Sequence, residues 1–215
     1  MMRFSKYASI VLVLLCAACS NPYKHLQQQT TATQPSAFRY QPTFSKELYR
    51  CVVDGRFLFK KFHLSGLLFF KTFDDSSTRA VFQNEMGFTF FDFKWDARDA
   101  FQVVSIIPQL DKPALVKILE KDMNLVLMKG LHRTTEVSFT KDDELFQRFT
   151  LDKGYAYYIS REDSLERIEN AGNSKVITIT MSGNRETGKL PEQLFFQHHK
   201  AHFTIQLKKL IQDAE

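Results

Sequence analysis

From Glu47 to Leu210 the chain is a succession of short runs in which polar and apolar residues alternate with period two. That is the repeat of a β-strand, whose successive side chains point to opposite faces. Leu48, Arg50 and Val52 alternate with Tyr49, Cys51 and Val53 up to Asp54-Gly55, a dipeptide that reads as a tight hairpin turn. Residues 56–62 and 64–73 follow, and Asp74-Asp75-Ser76-Ser77 marks the next reversal. Residues 78–86 and 88–95 flank Gly87, and 101–107 is a further strand. Residues 144–151 and 155–160 flank Lys153-Gly154, and 175–181 and 201–210 complete the series. Consecutive strands joined by short turns predict an antiparallel meander.

One segment breaks the rhythm. Asp111 can cap a helix whose first turn carries Pro113, a site that tolerates proline. Leu115, Ile118, Leu119, Met123 and Val126 then fall on one stripe opposite Lys117, Glu120, Lys121 and Asn124. This predicts an amphipathic helix to about Leu127. Residues 161–173 fit two structures. Asp163 with Glu166 can start a short helix, or 168–170 can pair with 175–177.

The apolar content is concentrated in a few places. There are 21 phenylalanines against 8 glycines and 1 tryptophan, so a large apolar volume must exist to hold them. Leu67-Leu68-Phe69-Phe70 and the stretch from Phe88 to Phe93 are apolar on both strand faces, and such strands are covered on both sides. Two uses of this interior stand open. Phe69, Phe82, Phe90, Phe91 and Phe93 can pack a core. Alternatively, with Val81 and with Leu115, Ile118, Leu119 and Met123 of the helix, they line a cavity for acyl chains or another hydrophobic ligand.

The N-terminus carries an address. Arg3 and Lys6 precede the apolar run Ile10–Ala18, which is too short to span a bilayer but has the length and flanks of a signal-peptide core. It ends in Leu15-Cys16-Ala17-Ala18-Cys19. This resembles the lipobox of bacterial lipoproteins, with Cys16 where that family usually has leucine. The resemblance implies cleavage before Cys19, acylation of Cys19 and attachment to a membrane. Ser20 follows rather than the aspartate that marks retention at the inner membrane, which implies an outer-membrane protein on the periplasmic side. Residues 1–18 are thus expected to be a signal peptide. Residues 19–43, rich in Gln and Thr with Pro22, Pro35 and Pro42, are expected to be the lipidated cysteine and a flexible tether. Residues 44–215 are expected to be one β-rich domain.

Charge and chemistry bound the function from the other side. Without Arg3 and Lys6 the net charge is +3, and the basic residues are scattered along the chain, so a nucleic-acid partner is not expected. Once Cys16 is removed and Cys19 acylated, Cys51 stands alone in an apolar strand, which suits a buried structural thiol. No nucleophile elbow, phosphate loop or Cys-x-x-Cys pair is present, and no enzyme activity or cofactor is expected. His198, His199 and His202 are the best metal candidates, but no acidic or cysteine ligand is near them in sequence. They read as a solvated loop edge before the last strand, with no metal expected. The acids Asp74-Asp75 and Asp142-Asp143-Glu144 lie at turns and read as solvated.

The order of elements, with Leu64-Ser65-Gly66-Leu67-Leu68, Thr78-Arg79-Ala80-Val81-Phe82, Asn84-Glu85-Met86-Gly87 and the closing Phe203-Thr204-Ile205-Gln206-Leu207, resembles the LolA/LolB-like lipoprotein carriers. The resemblance covers residues 48–210 and rests on no diagnostic motif. It implies a mainly β (α+β) fold: a long curved antiparallel sheet, or half-barrel, covered by one amphipathic helix and any short extra helices. It also implies a hydrophobic partner, either a lipid or lipoprotein ligand in the curved sheet or an envelope protein docked on it.

Overall fold

The computed structural model describes residues 23–29, 36–57, 60–183 and 188–210. The segment expected to be a signal peptide and Cys19 lie outside them. A single 13-stranded antiparallel sheet forms the body of the protein. The first meander runs β2 (Lys46–Phe57), β3 (Lys60–Thr72), β4 (Thr78–Gln83), β5 (Thr89–Trp95) and β6 (Phe101–Ile106). Helix α1 (Pro113–Leu127) follows. The second meander runs β7 (Glu136–Lys141), β8 (Glu144–Thr150), β9 (Tyr155–Arg161), β10 (Ser164–Ala171), β11 (Lys175–Ser182), β12 (Gln193–His198) and β13 (Phe203–Lys209). β13 pairs with β2, which joins the two meanders into one sheet. A two-residue strand, β1 (Gln27–Gln28), pairs with β7. It covers an edge that would otherwise present unpaired backbone groups.

α1 lies on one face of this sheet, and the two sheet faces differ because the strands alternate. Tyr49 and Cys51 of β2, Leu68 and Phe70 of β3, and Ile205 and Leu207 of β13 turn toward the helix side and are buried. Register shifts at Phe82/Gln83, Asp92/Phe93 and Leu165/Arg167 are β-bulges, which bend a strand and sharpen its twist. A sheet this wide curls at such points instead of staying flat. The helix expected from periodicity is present, with Leu119, Met123 and Val126 buried on its stripe. Its N-cap is Lys112, without a side-chain cap bond, rather than Asp111. The ambiguous stretch 161–173 is resolved as β10, paired with β11.

Two expectations are corrected. Asp54-Gly55 is not a turn: β2 runs through it to Phe57 and pairs in continuous register with β3. A Cβ on Gly55 would stand 2.3 Å from the Phe62 ring and 2.6 Å from Phe203 Cβ. Gly55 is therefore the floor on which two aromatic side chains rest. The stretch expected to be a free tether is also anchored in its described parts. Beyond the β1–β7 pairing, Ala37–Tyr40 forms a 3-10 turn with Ala37 and Tyr40 buried, and Glu136 accepts bonds from Ser36 Oγ at 2.7 Å and Ala37 N at 3.0 Å.

Gly66 gives a direct test of how tightly β3 and β4 are packed. A Cβ there would lie 2.0 Å from the Gln83 carbonyl oxygen, with Asn84 Cα at 3.0 Å. Backbone held in a ladder cannot give way as a flexible side chain can. Gly66→Ala is expected to cost at least ~2 kcal/mol, within the range for overpacking. An unchanged urea midpoint would mean that the β4–β5 turn yields freely.

Candidate functional site

The phenylalanine-rich strands meet the helix on one side only. Phe82, Phe91 and Phe93 are buried on the helix side together with Trp95. Phe90, displaced by the bulge, packs on Phe82 at 4.8 Å between ring centroids. Leu119 and Met123 are buried in the same cluster, with Leu115 and Ile118 at its margin. The structure thus gathers eight of the ten residues expected to line a hydrophobic site. Phe69 and Val81 are the exceptions. They alternate with buried Phe70, Ala80 and Phe82, are paired to each other across β3 and β4, and face away from the helix.

Leu119, Met123 and Val126 of the helix are buried in one cluster with Phe82, Phe91 and Phe93. A small pocket of about 30 Å³ lies at the C-terminal end of α1, bounded by Tyr40, Val126, Met128, Tyr158, Ile168 and Leu190. That is room for about one water molecule, whereas ligand pockets typically span ~300–1,000 Å³. A larger cleft of about 570 Å³ lies on the opposite face, over β11–β13 and β2, with Arg50, Lys208, Gln206, Val52 and Phe195 among its walls.

Beside its apolar contacts, α1 is held by four polar ones among the described residues. Trp95 Nε1 donates to Asn124 Oδ1 at 2.7 Å, and Tyr158 donates to the Leu125 carbonyl at 2.6 Å. Lys121 Nζ donates to Asn170 Oδ1 at 2.9 Å. The fourth joins Asp122 of the helix to His198 of β12, with Nε2 and Oδ2 2.8 Å apart. Both side chains are buried.

Sequence reading missed this last pair, and the correction is chemical. His198 is not at a solvated loop edge. It stacks on Phe203 at 3.8 Å, with Nδ1 3.1 Å from the Phe203 carbonyl oxygen. A carbonyl oxygen can only accept, so Nδ1 carries a hydrogen and a second proton is shared between Nε2 and the Asp122 carboxyl. Burial raises the Asp122 pKa, and the hydrogen bond from His198 opposes that rise. Its other oxygen, Oδ1, is buried without a hydrogen-bond partner. Both residues were detectable as charged or polar intrusions on an apolar pattern. Asp122 falls on the stripe between Leu119 and Val126, and His198 continues the alternation of Leu194 and Phe196. His199 instead bonds Thr178 Oγ1 at 2.9 Å, and His202 is exposed.

Among the described residues no group of three or more His, Cys, Asp or Glu side chains is arranged to hold a metal ion. No helix of the described residues is long and apolar enough to cross a membrane. Cys51 is buried, and burial pushes its thiol up to about 12, which makes it a poor nucleophile.

No protein-family model and no curated protein matches the sequence. Solved structures do match the fold. A LolA superfamily protein from Nitrosomonas europaea aligns with a TM-score of 0.50 at 7% identity, covering 82% of this chain and 91% of that one. A DUF1329 family protein from Desulfovibrio piger gives 0.48 at 10% identity, covering 78% and 85%. A domain described as an outer membrane lipoprotein-sorting protein, from Vibrio parahaemolyticus, gives 0.44 at 7% identity, covering 79% and 85%. The protein therefore has a LolA-like fold: a mostly β chain in one open, curved antiparallel sheet with a single α-helix among the described residues.

Proposed function

We propose that this chain is an envelope lipoprotein, acylated at Cys19 and held at the outer membrane on the periplasmic side. In this reading it binds a lipid, a lipoprotein or another hydrophobic ligand without catalysing a reaction. The observation that carries the reading is the helix. α1 rests its apolar stripe on an aromatic floor and is pinned there by a few discrete side-chain contacts. A chain that only needed a core could cover this floor with apolar contacts alone. Helix and aromatic floor are buried against each other, so in this reading an acyl chain enters as α1 lifts and the lid is closed without ligand. Burial at ~25 cal/mol per Å² would then supply the affinity.

The test uses the chain from residue 20 on, which retains every described residue. Phospholipid should co-purify with it, and a fluorescent fatty acid should bind saturably at micromolar concentration. Loosening the pins with Asn124→Ala and Tyr158→Phe should speed probe uptake. A stably folded protein with no bound lipid and no saturable uptake in either form would remove the carrier reading. Acylation is tested separately: labelled palmitate should enter the full-length chain and not its Cys19→Ala variant.

A second reading, docking of an envelope protein partner, is favoured by the burial of the helix stripe against the aromatic strands together with two side chains of the β4–β5 turn. Met86 is 92% exposed and Phe88 58% exposed. Met86→Ser with Phe88→Ser should then abolish partner capture while leaving the melting temperature unchanged.

A further inference from the structure

The basic residues scattered along the sequence are not scattered on the sheet. In the register of β2–β5, Lys46 lies opposite Lys71, Lys71 opposite Arg79, and Arg79 opposite Lys94. Directly opposed residues stand ~5 Å apart, so four cations form one row across four strands. All four face away from α1. Two rows further along the same face, Lys208 lies opposite Arg50. Like charges set opposite each other destabilise a sheet unless something else answers them.

Little within the protein does so. Asp92 pairs with Arg79, with Nε and Oδ1 3.0 Å apart, and the Lys71 ammonium sits over the Phe73 ring at 4.6 Å. Among the acids of the adjoining turns, Asp75 accepts from Ser77 N and also feels the charge of Lys94, Asp96 accepts from the Arg98 and Ala100 amides, and Asp99 pairs with Lys129 at 3.1 Å. Lys46, Arg50 and Lys208 have no carboxylate within ion-pair distance among the described residues. The next row on this face is Leu48, Phe69 and Val81, half-buried and paired across the strands; Leu48 lies between Lys46 and Arg50, while Phe69 and Val81 border the cation row on one side and Leu67 and Gln83 on the other.

We propose that this outer face of β2–β5 docks on an anionic phospholipid surface, with the cation row at the headgroups and Leu48, Phe69 and Val81 toward the acyl boundary. Complementary charge is one ground for that occupant, and an apolar row flanked by basic side chains is the pattern of an interfacial surface. The other ground is where the N-terminal segment goes. Tyr23 stacks on Tyr157 at 4.2 Å between ring centroids with the planes 2° apart, and its hydroxyl meets Glu169. Tyr157 and Glu169 belong to the same outer face. Only Ser20, Asn21 and Pro22 separate Tyr23 from Cys19. A chain of that length reaches at most ~14 Å. The choice of a membrane rests on the acylation reading: Tyr23 seats the N-terminal segment on the outer face over β9 and β10, with β11, β12 and β13 between them and β2.

The test omits the lipid so that the two readings fail separately. The chain from residue 20 on is sedimented with vesicles of phosphatidylcholine, with and without phosphatidylglycerol. Salt-sensitive binding is expected to the anionic vesicles only. A Lys46→Gln, Lys71→Gln, Lys94→Gln variant should bind roughly a hundred-fold more weakly. A Lys117→Gln, Lys141→Gln, Lys153→Gln variant, altered elsewhere, should bind as the parent does. Matched thermal melts show that the fold is intact in each. Equal binding to both vesicle types, or equal loss in the two variants, would overturn the proposal. So would no vesicle binding beside tight binding of a DNA oligonucleotide, which would make the row a polyanion site. Palmitate labelling at Cys19 is unaffected by any of these outcomes.

Discussion

A chain shortened to begin at Phe44 is expected to be ~3–6 kcal/mol less stable than one beginning at Ser20, at ~1.5–3 kcal/mol for buried Tyr40 and about as much again for the partly buried Tyr23 and Leu26 together. The shortened chain loses Tyr40 and Ala37 from the main core. It also loses Tyr23 and Leu26, which cover a separate cluster of Phe139, Phe146, Tyr157 and Ile159 on the outer face. Glu169, barely exposed, would keep Arg167 and Lys175 but lose the Tyr23 hydroxyl. Removing the cover would also open the β7 edge to water or to another chain. Urea unfolding of the two chains measures the difference. Coincident midpoints would show that residues 23–43 only drape over a domain that is complete without them.

The second large effect concerns the buried pair that pins the helix. His198→Ala or Asp122→Ala should each cost ~3–5 kcal/mol, because each leaves the other polar group buried without its partner. Replacing both, as Asp122→Leu with His198→Phe, should recover much of that loss, since an apolar pair of similar volume avoids desolvation. A double variant no more stable than the singles would show that the pair is held for its shape rather than its charge.

The pair also predicts a pH dependence. Burial raises the Asp122 pKa in the folded protein, so the folded state keeps a proton that the unfolded chain has released. The stability from this group is complete below the unfolded carboxylate value of ~3.9. It declines as pH rises through the raised folded value. Asp122→Asn should flatten that slope. An identical slope in the variant would assign the dependence to other groups.

Both effects involve residues whose importance the one-dimensional pattern concealed to different degrees. The 20–43 stretch has the composition of a tether, and its few aromatics matter only because β7–β10 and the helix side of the sheet provide places for them. Asp122 and His198 each interrupt an apolar periodicity, which marks them as unusual. That they meet each other is a fact of packing, across 76 residues of chain. Phe69 and Val81 show the converse. Their apolar character was plain, but in strands apolar on both faces the alternation does not say which set meets the helix; the pairing of β2, β3 and β4 does.

What the sequence determined by itself is therefore the class of structure. Period-two alternation separated by turn residues requires strands, their close succession requires an antiparallel meander, and a single 3.6-period stripe requires one helix with its apolar side on the sheet. These are local consequences of where side chains point along a strand or a helix. Only the tertiary structure decided that Gly55 is a seat for Phe62 and Phe203, that the helix stripe and Phe82, Phe91 and Phe93 are buried in one cluster, and that Lys46, Lys71, Arg79 and Lys94 stand in one row. Each depends on strand register, a cooperative result of all the pairings at once. Residues tens of positions apart become neighbours only after every intervening turn has closed.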